Sequence, residues 1–158
     1  MSPLPIATLQ LAGGGVLGIA PCPAAGDGAT LGGWRPDAVL SLVEPGPRAE
    51  AVGAICAALG VAWRHLPIED FAVPGPAFEA GWAVDGRMLR GRLRAGGRVL
   101  VHCLGGQGRS GMIAARLLVE LGEAAPDAAI ALVRRVRPGA VETAGQAAHV
   151  RGCRPLAD

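Results

Sequence analysis

Residues 99–111, Val-Leu-Val-His-Cys-Leu-Gly-Gly-Gln-Gly-Arg-Ser-Gly, decide the fold of this chain. The aliphatic run before the cysteine is typical of a buried strand, and the apolar pattern after Arg109 is typical of a helix. Between them lies a glycine-rich loop that begins at Cys103. A loop at the amino end of a helix attracts anions, because backbone N–H groups and the helix dipole point at it. The sequence therefore predicts a phosphate-binding loop that carries a cysteine.

The residue types in this loop suit the binding of a phosphate group and an attack on it. A thiolate is the reactive form of cysteine and needs positive potential, so we predict Cys103 as a nucleophile whose sulfur is hydrogen-bonded by Ser110. Arg109 offers a planar guanidinium that can bind two oxygens. Glycines let successive N–H groups turn toward one point, which gives these predicted phosphate-binding residues: Leu104, Gly105, Gly106, Gln107, Gly108 and Arg109. The alternative, a buried structural thiol at Cys103, leaves the remaining pattern unexplained.

The pattern His102-Cys103, five residues, Arg109-Ser110 resembles the His-Cys-x5-Arg-Ser/Thr signature of the cysteine-dependent protein tyrosine and dual-specificity phosphatases. The resemblance implies an enzyme that forms a phosphocysteine intermediate and uses neither a metal ion nor a cofactor. It also implies that His102 points away from the phosphate and hydrogen-bonds the backbone behind the loop. A merely packed histidine is the alternative for His102.

Such an enzyme needs a carboxylic acid to protonate the leaving oxygen, on a loop that can close over substrate. Glu69 and Asp70 follow a predicted strand and precede a loop rich in proline and glycine at 71–76. Asp70 precedes Cys103 by an interval similar to that of the family's acid loop, so we predict Asp70 as the acid and Glu69 as the alternative. Both could instead be solvated loop carboxylates. Asp85 is a poor candidate because it lies inside a predicted helix.

Other segments resemble the subgroup of the cyclin-dependent-kinase-associated phosphatase. Residues 17–23 are similar to its early strand and Cys-Pro turn, and Pro-Ile-x-Asp at 67–70 is similar to its acid loop. Residues 140–146 occupy the place of its late segment, where a glutamine can hold the hydrolytic water. This implies that role for Gln146, and a solvent-facing glutamine on a helix surface is the alternative.

The predicted loop carries no lysine, and the chain contains no tyrosine. Inositol-lipid phosphatases of this fold usually place basic residues in the loop, so the sequence disfavours a polyphosphorylated lipid. Without an aromatic-rich segment we expect a shallow pocket, and a phosphoprotein or phosphopeptide substrate that carries phosphotyrosine, phosphoserine or phosphothreonine. The alternatives are the same chemistry on a phosphoinositide, a sugar phosphate or an RNA 5′ end, and a phosphate-binding module without turnover.

Strands alternate with helices, which predicts an α/β fold with a mostly parallel sheet flanked by helices, as in the core of a dual-specificity phosphatase. The reactive loop then lies at the carboxyl end of a strand, where such sheets bind ligands. We predict one domain over 1–158. The predicted strands are 6–11, 16–19, 38–43, 62–68 and 98–102, and the predicted helices are 27–34, 47–59, 78–94, 109–121, 127–137 and 143–151.

Composition excludes several other classes. The formal net charge is +2 and no basic run resembles a nucleic-acid patch. The first residues lack the positive segment of a signal peptide, and the segment 51–63 is too short to span a bilayer. We therefore expect a cytoplasmic protein without a membrane partner. We also expect a monomer. The abundance of Ala, Gly, Arg and Pro suggests a bacterial source. Cysteine spacing disfavours a zinc site, and whether Cys22 or Cys153 could protect an oxidised Cys103 is left open.

Overall fold

The computed structural model describes residues 2–158, and Met1 of the predicted domain lies outside the described residues. Five strands form one sheet in the order β1-β2-β5-β3-β4. β1 is antiparallel to β2, and the other neighbouring strands pair in parallel. The prediction of a mostly parallel sheet is therefore confirmed. The strands are β1 (Ala7–Gln10), β2 (Val16–Ala20), β3 (Ala38–Ser41), β4 (Ala62–His65) and β5 (Arg98–His102).

Six α-helices connect or follow these strands, and a 3-10 turn precedes the first of them. Proline begins three of the helices, a position where its missing N–H costs no hydrogen bond. Thr143 caps the last helix as predicted, because its hydroxyl accepts a hydrogen bond from Gln146 N at 3.0 Å. The helices are α1 (Gly28–Trp34), α2 (Pro47–Leu59), α3 (Pro76–Arg94), α4 (Gly108–Glu120), α5 (Pro126–Val136) and α6 (Ala144–Arg151).

Three strands are shorter than predicted, since β1 lacks one residue at each end of the predicted 6–11, and β3 and β4 both end early. β3 ends at Ser41 and β4 ends at His65, whereas the apolar runs predicted strands to residues 43 and 68. Beyond β4 the chain still follows β3, since Leu66 N and Ile68 N each donate to a backbone carbonyl at 3.0 Å. Pro67 lies between them and has no N–H to donate, so regular pairing stops there.

The helices cover both faces of the sheet. α3, α4, α5 and α6 pack on one face, and α1 and α2 pack on the other. An apolar pattern predicted the helix after the loop, and every residue of α4, including its charged residues, is buried. The sheet and three neighbouring helices enclose it, and its charged pair Arg116 and Glu120 is bonded within the interior at 2.9 Å. No helix within residues 2–158 has the length and apolar character needed to cross a lipid bilayer.

The strand order places the reactive loop at the centre of one sheet edge. β5 lies between β2 and β3, so the loop at 103–107 follows the middle strand. The carboxyl ends of all four parallel strands lie at this edge. The segments at 21–24, 42–46 and 66–75 therefore converge around the loop.

Candidate active site

The carbonyl groups of the loop are all held from outside the loop. Backbone groups of distant segments and two side chains make these contacts. Because a trans peptide is planar, its N–H points away from its own C=O, so the N–H groups of residues 104–108 point to the opposite, concave side. The contacts are His102 Nδ1 to Cys103 O (3.0 Å), Cys22 N to Leu104 O (3.0 Å), Arg137 Nη2 to Gly105 O (3.0 Å), Arg137 Nε to Gly106 O (2.9 Å), and Gly111 N and Val141 N to Gln107 O (3.0 and 3.2 Å).

Gly106 requires glycine, and Gly108 packs closely against neighbouring side chains. Gly106 has φ +73°, and a Cβ there would lie 2.5 Å from Pro21 N, so a side chain would collide with the backbone after β2. A Cβ at Gly108 would meet the carboxylate of Glu142 and lie 3.2 Å from the amide of Gln146. The loop therefore packs directly against β2 and against the segment before α6.

Cys103 lies at the base of this loop, at the amino end of α4. The residue is 3% exposed, and its Sγ lies 3.1 Å from Ser110 Oγ. The hydroxyl can donate to a thiolate at that distance, and the positive end of the buried helix faces the same point. The structure thus brings together Cys103, the predicted nucleophile, and Ser110, the predicted hydrogen-bond donor to its sulfur.

His102 is fully buried and links three elements behind the loop. Its Nδ1 donates to Cys103 O, because a carbonyl oxygen can only accept, and its Nε2 then accepts from Ser41 Oγ at 2.5 Å. Ser41 Oγ in turn accepts from Trp63 Nε1 at 2.9 Å. Burial lowers the pKa of His102 to about 4, so the ring is neutral at pH 7. The ring lies behind the loop and points away from its concave side. This is the position that the resemblance implied for His102.

Because His102 is buried and neutral, the free energy of unfolding is expected to depend on pH. Between pH 6.5 and about 4 the unfolded chain binds a proton at His102 and the folded chain does not, so stability is lost as pH falls through that window. The loss can reach about 3 kcal/mol. We expect His102→Asn, whose amide can still donate to Cys103 O, to flatten the pH dependence of the free energy of urea unfolding.

The measurement compares wild type and variant at several pH values between 4.5 and 7. Burial also lowers the pKa of His149, but that residue is present in both proteins, so the difference between them isolates His102. Parallel pH curves for the two proteins would contradict the assigned neutral histidine.

Arg109 is buried and is held on one side only. Its Nη1 donates to Ile68 O at 2.9 Å and to the carboxylate of Glu44, and its Nη2 lies 3.5 Å from Asp70 Oδ1. Its Nε has no hydrogen-bond partner, and no other buried side-chain N or O atom of residues 2–158 lacks one. A buried, unpaired cationic donor is costly, so this N–H indicates where an anion binds.

Glu44 is a site residue that the sequence reasoning missed. It follows β3, and its side chain is 55% exposed while Arg109 beside it is 2% exposed. The signal was present, since a carboxylate directly after the predicted parallel strand 38–43 lies at the same edge of the sheet as the loop. Glu142, which lies beside Gly108, is a second residue for which the sequence analysis predicted no role. It appeared there only as part of the segment 140–146.

The two candidate acids differ in position. Asp70 lies next to Arg109 and accepts from Phe71 N at 3.0 Å, whereas Glu69 is exposed and forms no ion pair within residues 2–158. Phe71 has φ 61°, a left-handed conformation that is rare outside glycine and often found at functional sites. Asp85 lies on α3 and pairs with Arg64 at 3.1 Å. The geometry therefore favours Asp70 as the acid.

Gln146 is buried and does not face solvent, contrary to the alternative considered above. Its Oε1 accepts from Glu142 N at 2.9 Å and Thr143 N at 3.2 Å. Its Nε2 reaches Ala72 O at 3.4 Å, which joins the acid loop to the segment before α6. The amide thus lies between the acid loop and the reactive loop.

A cavity of about 490 Å³ opens beside Arg109 and is also lined by Glu44, Arg48 and Leu104. A second cavity of about 300 Å³ continues past Leu104 to Cys22.

Cys22 therefore lies beside the reactive loop, and burial raises the pKa of its thiol. Cys153 lies instead at the end of α6, where its Sγ donates to His149 O at 3.4 Å and burial raises its pKa to about 11. All four thiols are unbridged.

The chain matches known proteins along most of its length. Residues 36–150 match the family described as PTP-SAK, Swiss Army Knife protein, DSP-PTPase phosphatase domain. This match includes the acid loop, the reactive loop and the segment that holds Gln146. It covers well over half of the chain.

Solved structures are also similar. The active form of Tk-PTP is 31% identical with a TM-score of 0.71, over 91% of this chain and 92% of that chain. Kinase associated phosphatase is 24% identical with a TM-score of 0.78, over 95% and 93% of the two chains. PTPMT1 in complex with PI(5)P is 17% identical with a TM-score of 0.72, over 92% of each chain. At these lower identities the last two show a shared fold.

Proposed function

Because this chain belongs to the family of DSP-PTPase phosphatase domains, as residues 102–110 predicted, we propose that it hydrolyses phosphotyrosine, phosphoserine and phosphothreonine in proteins through a phosphocysteine. One observation carries the proposal. The thiol of Cys103 lies at the base of a loop whose N–H groups and the unpartnered Nε of Arg109 supply donors for one oxyanion. That arrangement suits a phosphoryl group attacked by sulfur.

In the first step, the Cys103 thiolate attacks phosphorus, an S–P bond forms and the bond from phosphorus to the leaving oxygen breaks. Asp70 donates its proton to that oxygen, which leaves as an alcohol or phenol. The loop N–H groups and Arg109 bind the three equatorial oxygens, where charge is distributed in the transition state. Catalysis therefore depends on donors that are oriented before substrate arrives.

In the second step, a water attacks phosphorus and the S–P bond breaks, with its electron pair returning to sulfur. The Asp70 carboxylate takes a proton from the water, which restores the acid and yields inorganic phosphate. Ser110 donates a hydrogen bond to the departing thiolate from 3.1 Å. Gln146 Nε2 has only a 3.4 Å contact to Ala72 O and can orient this water.

The surroundings of the loop favour a protein substrate. Residues 104–107 are uncharged, so the loop offers no side-chain cation to additional phosphates. Leu104 is 43% exposed and Phe71 is 62% exposed, which gives the entrance an apolar surface for a peptide or a phenol ring. PTPMT1 binds a phosphoinositide on the same fold, so lipids are the principal alternative.

The test is a substrate panel assayed with purified protein in EDTA. The panel contains phosphotyrosine and phosphothreonine peptides, PI(5)P, a sugar phosphate and an RNA with a 5′ phosphate. We expect the phosphopeptides to have the highest kcat/KM and EDTA to have no lasting effect. A higher kcat/KM for PI(5)P would replace the protein substrate with a lipid. Activity lost in EDTA and restored by a metal ion would overturn the phosphocysteine mechanism.

Replacing the proposed acid makes a further prediction. Asp70→Asn is expected to lower kcat for phosphothreonine or alkyl phosphates by about 10²- to 10⁴-fold, the usual contribution of general acid catalysis. The loss should be smaller for p-nitrophenyl phosphate, because p-nitrophenolate leaves with little need for a proton.

Glu69→Gln is the matched control, since Glu69 is the adjacent exposed carboxylate. It is expected to keep the wild-type kcat for phosphothreonine and alkyl phosphates. If Glu69→Gln lowers this kcat while Asp70→Asn keeps it, the acid has been assigned to the wrong residue.

A further inference from the structure

We propose that Arg137 is a positioning residue for the reactive loop, a role that rests on the proposed phosphatase function. Arg137 directly follows α5, and its backbone N–H still bonds to Val133 O at 2.9 Å. Its Nε donates to Gly106 O at 2.9 Å and its Nη2 donates to Gly105 O at 3.0 Å. One guanidinium thus fixes two consecutive peptide groups at the middle of the loop.

The two bonds determine where the neighbouring N–H groups point. The carbonyl of Gly105 shares a peptide plane with the N–H of Gly106, and the carbonyl of Gly106 shares one with the N–H of Gln107. Holding both oxygens on the outside therefore turns both N–H groups toward the concave side. Gly106 has φ +73°, which glycine adopts readily, so without Arg137 these peptide planes would have other accessible orientations.

The charge of Arg137 also acts on the loop. Within residues 2–158 no carboxylate pairs with Arg137, whereas Arg109, Arg116 and Arg90 each have such a partner. The positive charge of Arg137 therefore interacts mainly with two carbonyl oxygens behind the anion site. A cation there offsets the negative ends of those peptide dipoles and favours a bound oxyanion.

Backbone and side-chain contacts hold the segment that carries Arg137 against the loop. Pro138 follows it, Ala140 N donates back to Arg137 O at 3.0 Å, and the turn contains Gly139 at φ +87°. Gln107 Nε2 contacts Pro138 O at 3.4 Å from the other side. The turn after α5 and the reactive loop are thus connected at several points, with Arg137 supplying the two shortest contacts.

The test measures binding of tungstate, a tetrahedral oxyanion, as a competitive inhibitor of p-nitrophenyl phosphate hydrolysis. We expect Arg137→Met to raise the inhibition constant by about tenfold, because the N–H groups of Gly106 and Gln107 would no longer be held toward the anion, and a hydrogen bond contributes about 0.5–1.5 kcal/mol. The value of kcat/KM should fall at least as far. Arg137→Lys keeps the charge but cannot form both bonds of the fork, so its inhibition constant should lie between the two.

Arg134→Met is the matched control. Arg134 lies on α5, the helix that Arg137 directly follows. It also donates to two carbonyls, those of Ala140 and Val141, which lie outside the loop. It should lower the melting temperature about as much as Arg137→Met while leaving the inhibition constant within about twofold of wild type.

The outcomes separate this inference from the proposed function. If wild type neither hydrolyses phosphate esters nor binds tungstate, the proposed function fails. If wild type does both and Arg137→Met binds tungstate equally well, only the positioning role fails. Equal weakening in Arg134→Met and Arg137→Met would also overturn it. Should Arg137→Met not fold, Arg137→Lys alone decides, because unchanged tungstate binding in that variant contradicts a need for the two-bonded fork.

Discussion

Cys103→Ser is expected to lower kcat by about 10⁶-fold, a loss typical of enzymes deprived of their nucleophile. A serine hydroxyl is a far weaker nucleophile than a thiolate, because it still holds its proton at neutral pH. Binding of tungstate should persist, because the loop N–H groups and Arg109 are unchanged. The measurement is kcat with p-nitrophenyl phosphate together with the inhibition constant of tungstate on residual activity or by calorimetry.

Cys153→Ser provides the control for a lost thiol. Its Sγ donates to His149 O at 3.4 Å, a contact that a hydroxyl can also make, and it lies away from the loop. We expect this variant to keep the wild-type rate. Hydrolysis by Cys103→Ser at a rate comparable to wild type would exclude Cys103 as the nucleophile.

Arg109→Lys is expected to reduce kcat/KM by about 10⁴-fold, nearly as much as Arg109→Ala, because each lost donor to a transition-state oxyanion costs about 10²- to 10³-fold. The fork of Arg109 is fixed by Ile68 O and Glu44, and its Nε has no hydrogen-bond partner and can donate to a bound anion. Lysine is a point charge on a flexible chain and cannot reproduce a planar, two-bonded contact. Both KM and kcat should worsen, since the fork binds the phosphate and its transition state.

Arg135→Lys serves as the control for an arginine-to-lysine change on an exposed helix position. It should leave kcat/KM unaltered. Steady-state kinetics with phosphotyrosine peptide decide the matter, and a drop of less than about tenfold for Arg109→Lys would remove Arg109 from the role of transition-state ligand.

Local patterns in the sequence were sufficient for much of the fold. The bounds of Pro47–Leu59 and Arg98–His102 were predicted to the residue, since proline and glycine mark the ends of the helix and a glycine pair precedes the strand. The spacing of Cys103 and Arg109 predicted the phosphatase family, because the loop is short and its function depends on adjacent residues. The family and the mostly parallel sheet are confirmed.

The sequence could not show which distant carboxylates contact Arg109. Glu44 and Asp70 meet at Arg109 because β3 and β4 lie on one side of β5, and this strand order is not encoded in any local pattern. The burial of Gln146 likewise depends on how α6 packs beside α4.

The sequence by itself determined the chemistry of the loop, with its thiol, its glycines and its arginine, because those groups are neighbours along the chain. Only the tertiary structure decided how the loop is held. Its carbonyls are bonded by Cys22 from the end of β2, by Arg137 from the end of α5 and by Val141 from the turn that follows. Contacts between residues so far apart follow from the packing of whole elements, whereas periodicity and turn signals report only on neighbouring residues.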